Sequence, residues 1–314
     1  MLAVVVVGVF HPVAAQTNLY VSPNGSNQFK TVQEAVNAVP QNTSPTNPCL
    51  IHIAPGAYKE LLHVQREKRF VHLVGADAEK TLLTYNLNAK MPGPDGKPIG
   101  TFRTPSTVID ADDFTAENLT FENSAGPVGQ ALALRVDGDR VVFRNCRFLG
   151  WQDTILLNRG RQYFVGCAIA GHVDFIFGGA TAFFEKCHLH CLTNGYITAA
   201  STAQEQPFGF VFSNCRITAV SPGVRTYLGR PWRPYASVTF LNTEMSAVVE
   251  PAGWNNWRDP AREKTARYAE FNSTGPGANP KARVSWARQL TTEEAKAITV
   301  QSVLAGADGW SPPK

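Results

Sequence analysis

A four-residue signature that recurs at short intervals limits this chain more than any other feature. Asn118-Leu-Thr-Phe121, Asn145-Cys-Arg-Phe148, Gly166-Cys-Ala-Ile169, Lys186-Cys-His-Leu189, Asn214-Cys-Arg-Ile217 and Asn242-Thr-Glu-Met245 align at spacings of 27, 21, 20, 28 and 28 residues. Each follows a short apolar segment such as Val141-Val-Phe143 or Tyr163-Phe-Val165. A unit of strand and turn this short cannot enclose a core alone, whereas stacked units bury one continuous core between them. Propeller blades need about 40 residues per unit, and leucine-rich repeats carry a different motif. The expected fold is therefore all-β, a solenoid of the parallel β-helix kind.

In such a stack the second signature position points inward, and it is filled by Leu119, Cys146, Cys167, Cys187, Cys215 and Thr243. Adjacent coils pair at about 4.8 Å, inside the Cα separation that a disulfide spans. A Cys167–Cys187 disulfide and a column of small buried thiols both fit this geometry. The six cysteines lack the paired CxxC spacing of a zinc site.

The repeat also duplicates a carboxylate. Asp153, in Gly150-Trp-Gln-Asp-Thr154, and Asp174, in Val173-Asp-Phe-Ile-Phe-Gly178, each stand seven residues after a signature cysteine, Cys146 and Cys167. Strand alternation turns Val173, Phe175 and Phe177 toward the core and Asp174 and Ile176 outward, with Asp153 outward one coil earlier beside Gln152. Two carboxylates about 5 Å apart repel when both are ionised, so one pKa should rise and the other fall. A divided pair supplies an ionised nucleophile and a protonated acid. The alternative is structural, each aspartate serving a turn, although such a pair destabilises adjacent strands unless a cation lies between.

Further residues converge on the pair. The alternating strand Gly129-Gln-Ala-Leu-Ala-Leu-Arg135 places Gln130 a coil before Gln152, and two side-chain amides beside a nucleophile suit an oxyanion hole. Tyr227-Leu-Gly-Arg-Pro-Trp-Arg233 brings up Arg230, whose fork could hold Asp174 ionised or bind a substrate carboxylate. Trp232 could stack on a sugar face, or simply pack beside its proline.

Elsewhere the chain is informative in patches. Its 314 residues, 44% of them hydrophobic, are enough for a large core, and 25 glycines with 21 prolines fit many short strands joined by turns. The net charge of +4 is spread without a run of Lys or Arg, which argues against nucleic-acid binding. The apolar run Met1–Phe10 is too short to span a bilayer, which takes about 20 residues. With Val13 and Ala15 before a cleavage point, residues 1–16 read as a secretory signal without its basic n-region; a buried first strand is the alternative. The mature chain, residues 17–314, is then one domain in a secreted or periplasmic setting, with no membrane segment. Capping boxes at Thr31–Glu34 and Thr291–Glu294 open short helices, the first over Val32–Val39 and the second through Ile298. Residues 91–98 form a loop, and the tail after residue 250 should pack along the outside of the coils.

Gly56-Ala-Tyr-Lys-Glu60, Gly129-Gln-Ala-Leu-Ala-Leu134, Gly150-Trp-Gln-Asp-Thr154, Val173-Asp-Phe-Ile-Phe-Gly178 and Tyr227-Leu-Gly-Arg-Pro-Trp232 together resemble the ordered signature segments of the pectin methylesterase family. The resemblance runs from about residue 18 to 311 and is closer to bacterial members, with Trp151 standing where plant members commonly carry Tyr. It implies a right-handed parallel β-helix that hydrolyses the C6 methyl ester of polygalacturonate (pectin, a methylated homogalacturonan) as a monomer, without metal or cofactor. It implies Asp174 as nucleophile, Asp153 as acid then base, Gln130 and Gln152 as oxyanion hole, and Arg230 as the orienter of Asp174. Trp232, Trp151, Phe175 and Tyr58 would line the substrate cleft. Rival readings are a β-helix glycoside hydrolase of retaining geometry, a cell-surface binding module and an esterase for another acyl ester.

Overall fold

The computed structural model describes residues 16–313, so the signal expected at residues 1–16 lies, save for Gln16, outside the described residues. The chain winds through parallel strands that pair with their counterparts one coil on, giving an eleven-stranded and a thirteen-stranded sheet. Every pairing between strands is parallel: Phe143, Phe164, Phe184, Phe212 and Phe240 fall in one register line along the first sheet. This is the β-helix expected from the repeat.

The signature explains the corners. Its first residue adopts the left-handed conformation in every copy: Asn118, Asn145, Gly166, Lys186, Asn214 and Asn242 have φ between 48° and 64°. This residue turns the chain from a strand of the first sheet into one of the second, as between Val141–Arg144 and Arg147–Leu149. Asn and Gly tolerate that region best, which accounts for their frequency at this position. The second residue then points inward, and Leu119, Cys146, Cys167, Cys187, Cys215 and Thr243 are all buried. The cysteines are free, so the thiol column is present and the Cys167–Cys187 disulfide is not.

Inside, the aligned phenylalanines stack in a ladder, with ring centroids 4.8 Å apart for Phe143–Phe164, 4.6 Å for Phe164–Phe184, 4.4 Å for Phe184–Phe212 and 4.5 Å for Phe212–Phe240. The spacing follows the rise between coils, and each offset stack adds about 0.5–1.5 kcal/mol to the burial of its area. Beyond Phe240 the regular stack ends: Trp254 lies tilted to it at 6.0 Å and itself stacks on Tyr268 at 4.2 Å.

Three expectations change in detail. Coiling begins at Thr17–Val21, well before the first signature at Asn118, because the early strands Cys49–Ile53 and Val71–Gly75 pair in the same sheet without carrying the signature. The residues after 250 are still coil at first, since Arg267–Phe271 and Arg288–Gln289 add further parallel strands, and only the segment beyond Gln289 lies on the outside. There Ala295, Val303 and Leu304 cover Val142, Tyr163, Phe183 and Val211 on the outer face of the first sheet. The first helix spans Val32–Asn37 and buries Val32, Ala35 and Val36 over the end of the stack, its box closed by Thr31 and Glu34; Val39 lies beyond it. All six thiols should resist a thiol reagent in the folded protein and titrate only after unfolding, with the melting temperature indifferent to a reductant; a thiol titrating in the native state would contradict this packing.

Candidate active site

Two aspartates occupy equivalent corners of consecutive coils. Asp153 has φ 63° and Asp174 φ 53°, and the Asp153 N–H donates to the Val173 carbonyl at 3.0 Å. The left-handed residue interrupts the strand alternation that the sequence implied. The alternation holds up to Gly171; Val173, expected inside, is only half-buried, beyond Asp174 both Phe175 and Ile176 lie in the core, and Phe177 comes out on the opposite face. Phe175 is therefore wholly buried and lines no cleft, contrary to its expected role, while Phe177, expected inside, joins the site.

One cavity of about 380 Å³ gathers the candidates. Its wall holds Gln130, the adjacent Gln152 and Asp153, Asp174, and Arg230 with Trp232 from one loop, drawn from successive coils, together with Phe177, Ala199 and Trp257. Gln130 and Gln152 are bridge partners in parallel register, so their side chains leave adjacent coils at one level. Leu132, Leu156, Phe177 and Ala199 form an apolar floor against which Trp232 and Trp257 pack. Thr101 and Phe102 reach over from a short 3-10 turn, Thr101–Arg103, just after the loop at residues 91–98.

Charge is divided sharply here. Arg230 Nε and Nη2 donate to the two oxygens of Asp174 at 2.8 and 2.6 Å, a bidentate fork in a site where Asp174 is 6% exposed. The guanidinium is itself clamped between two rings, its central carbon 3.9 Å from the Tyr196 centroid and 3.8 Å from that of Trp257. Cation–π contact of this kind fixes the plane of the fork. Asp153 is 9% exposed and has no ion-pair partner among the described residues. Burial, reinforced by the charge of Asp174, pushes its carboxyl up to about 8. Burial also raises Asp174, but its hydrogen bonds and charge pairing with Arg230 pull it back. The expected rise and fall thus becomes a rise of both, unequal in size, and Asp174 loses its proton first.

Two other expected residues stand elsewhere. Tyr58 is a core residue whose hydroxyl donates to the Ala54 carbonyl at 2.8 Å. Trp151 lies outside the cavity wall, edge-on to His172 with ring centroids 5.7 Å apart. Conversely, Phe177, Tyr196 and Trp257 were not singled out for this site from the sequence. Trp257 was visible only as an aromatic turn residue, and nothing in the linear pattern marks Tyr196. Among the described residues no group of three or more His, Cys, Asp or Glu is arranged to hold a metal ion.

The pectinesterase family model matches residues 18–307. The chain belongs to the pectinesterase family. Pectinesterase 31 of Arabidopsis thaliana is 43% identical over 88% of this chain and 88% of its own. A putative pectinesterase 11 of the same plant is 38% identical, covering 93% and 80%. Among solved structures, the pectin methylesterase from carrot superposes with a TM-score of 0.87 at 33% identity, covering 94% of this chain and 95% of the other. A pectin methylesterase in complex with a hexasaccharide gives 0.81 at 30% identity, over 96% and 100%. The right-handed parallel β-helix implied by the sequence signatures is thus the fold of this pectinesterase-family enzyme.

The buried Asp153 carries a stability cost with a defined pH window. Its carboxyl ionises near the ordinary value in the unfolded chain and only near 8 in the folded one, so the folded state is penalised increasingly as pH rises from about 4 to about 8. Asp153→Asn should therefore raise the melting temperature at pH 8 by a few degrees, for a gain of about 1–2 kcal/mol. The gain should shrink toward nothing near pH 4. A gain of equal size at both pH values would show that Asp153 is not held protonated by burial.

Proposed function

We propose that this enzyme removes the C6 methyl esters of polygalacturonate by covalent catalysis, with Asp174 as nucleophile and Asp153 as the acid that becomes the base. The observation that carries the reading is the paired left-handed aspartates facing one cavity, one gripped by Arg230 and the other without a cationic partner and pushed to about 8. An ionised Asp174 attacks the ester carbonyl, forming a bond from its oxygen to the carbonyl carbon. Gln130 and Gln152 donate to the resulting oxyanion. As the tetrahedral intermediate collapses, Asp153 gives its proton to departing methanol and the acyl group stays on Asp174. Asp153, now ionised, takes a proton from water, whose oxygen attacks the acyl carbon. Collapse of this second intermediate releases galacturonate and returns Asp174 as carboxylate, still in the fork of Arg230.

The order of ionisation supports these roles, since between the two pKa values Asp174 is charged while Asp153 is not. The apolar floor and the Trp232 and Trp257 rings suit the face of a sugar unit and exclude water around the reacting ester. The apolar first ten residues support export to the compartment where the polymer occurs, and the coils support action as a monomer, since all the candidate residues come from one chain.

Asp174→Asn should lower methanol release from highly methylated pectin by at least about 1,000-fold with folding retained, and Gln152→Ala by about 100-fold. The wild-type rate should fall as pH climbs through about 8, where Asp153 loses the proton that methanol needs. Substantial turnover by the Asp174 variant, or new reducing ends in place of methanol, would overturn the assignment.

A further inference from the structure

Arg230 and Asp174 are not neighbours in the stack. A coil stands between them, and its residue Tyr196 pairs with Val173 on one side and with Tyr227 on the other. To reach Asp174 the guanidinium must cross that coil. It does so over the Tyr196 ring, with its central carbon 3.9 Å from the centroid. Two backbone features set up the crossing. Val173 and Ile176 face Tyr196 and Thr198, so Asp174 and Phe175 together oppose Ile197 alone, a bulge that re-aims the Asp174 side chain. Further on, the Arg230 N–H donates to the Thr198 carbonyl at 3.0 Å, which fixes the start of the arginine side chain two residues along from Tyr196.

The crossing constrains what the middle coil can carry. A carboxylate or amide there would accept from the guanidinium in its own plane and compete with Asp174 for the fork. An aromatic face attracts the cation from above and leaves the in-plane donors free. Two of those donors, Nε and Nη2, are spent on Asp174. The second ring on the guanidinium, Trp257, also lines the cavity of the aspartates, whereas Tyr196 does not. Tyr196 therefore acts on the reacting groups only through Arg230. Tyr227 stacks on the same ring, with centroids 5.4 Å apart and planes 15° from parallel. Both contacts use the ring face, and the hydroxyl takes no part in either.

We infer that Tyr196 is a positioning residue for the ester hydrolysis: its ring face holds the Arg230 fork on both oxygens of Asp174 and so sets the rate of the chemical step from outside the cavity. The inference rests on the reading of Asp174 as nucleophile. With the face removed, the long arginine side chain regains rotamers in which one donor or both leave Asp174. The carboxylate then loses its orientation, and it loses the pull that offsets its burial. The other ionisable groups acting beside it, Asp153 one coil back and His172 on its own strand, are untouched by the change.

The test is steady-state methanol release from highly methylated pectin, followed across pH for the wild type, Tyr196→Leu and Tyr196→Phe. Tyr196→Leu should lower kcat about tenfold, the kinetic equivalent of one desolvated cation–π contact, with KM held within about twofold. The acid limb of its kcat profile should move to higher pH, because Asp174 must be ionised to attack and now keeps its proton longer. Tyr196→Phe, which retains the face and drops the hydroxyl, should recover both the rate and the limb. An unchanged kcat in the Leu variant, a fall in kcat with the acid limb in place, a rise in KM at constant kcat, or a Phe variant as impaired as the Leu variant would each overturn the inference. A variant that merely folds less well loses active enzyme without moving the limb, so a lowered melting temperature cannot mimic the expected result. If the wild type released no methanol, or Asp174→Asn kept its turnover, the underlying esterase reading would fail instead.

Discussion

Everything in this molecule follows from one parallel register, in which a residue on one coil sits beside its equivalent on the next. Register of this kind is cheap to specify when each coil turns on a left-handed corner and buries the same kind of side chain at the same place. The phenylalanine ladder and the cysteine column are two readouts of it. The paired aspartates are a third, with a different outcome. A rule that stacks like on like is favourable for aromatic rings and unfavourable for carboxylates, so the same geometry that stabilises the core builds electrostatic conflict into the surface.

How that conflict is resolved decides the chemistry. Asp174 receives an arginine from two coils further on, and the arginine is fixed by rings from two other segments. Asp153 receives no cation and keeps its proton instead. Two identical residues in nearly identical backbone conformations thus become different reagents through the company each keeps, and the asymmetry comes from later coils, not from the repeat itself.

Much of this was legible in the linear chain. The signature spacing gave the architecture, and the seven-residue offset from Cys146 and Cys167 placed Asp153 and Asp174 on equivalent positions. Gln130, Gln152, Arg230 and Trp232 do meet them around one cavity. What failed was alternation: it assumes extended backbone throughout, and the left-handed corner at Asp174 shifted the phase, taking Ile176 inside and bringing Phe177 out. Tyr58 and Trp151 failed for a related reason, since a motif marks a segment without saying which way each side chain leaves it. Tyr196 and Trp257 carried no sequence signal because their contribution is a plane of contact with Arg230, set by tertiary packing alone.

The cavity is assembled from side chains that climb across successive coils, so its long direction crosses the strands. An additional turn of chain inserted beside the coils that line it would lengthen that trough by about 4.8 Å while leaving the reacting pair itself unchanged. In such an architecture the reach of an enzyme along its polymer and the chemistry at its centre are separately adjustable, the first by counting turns and the second by choosing a few residues.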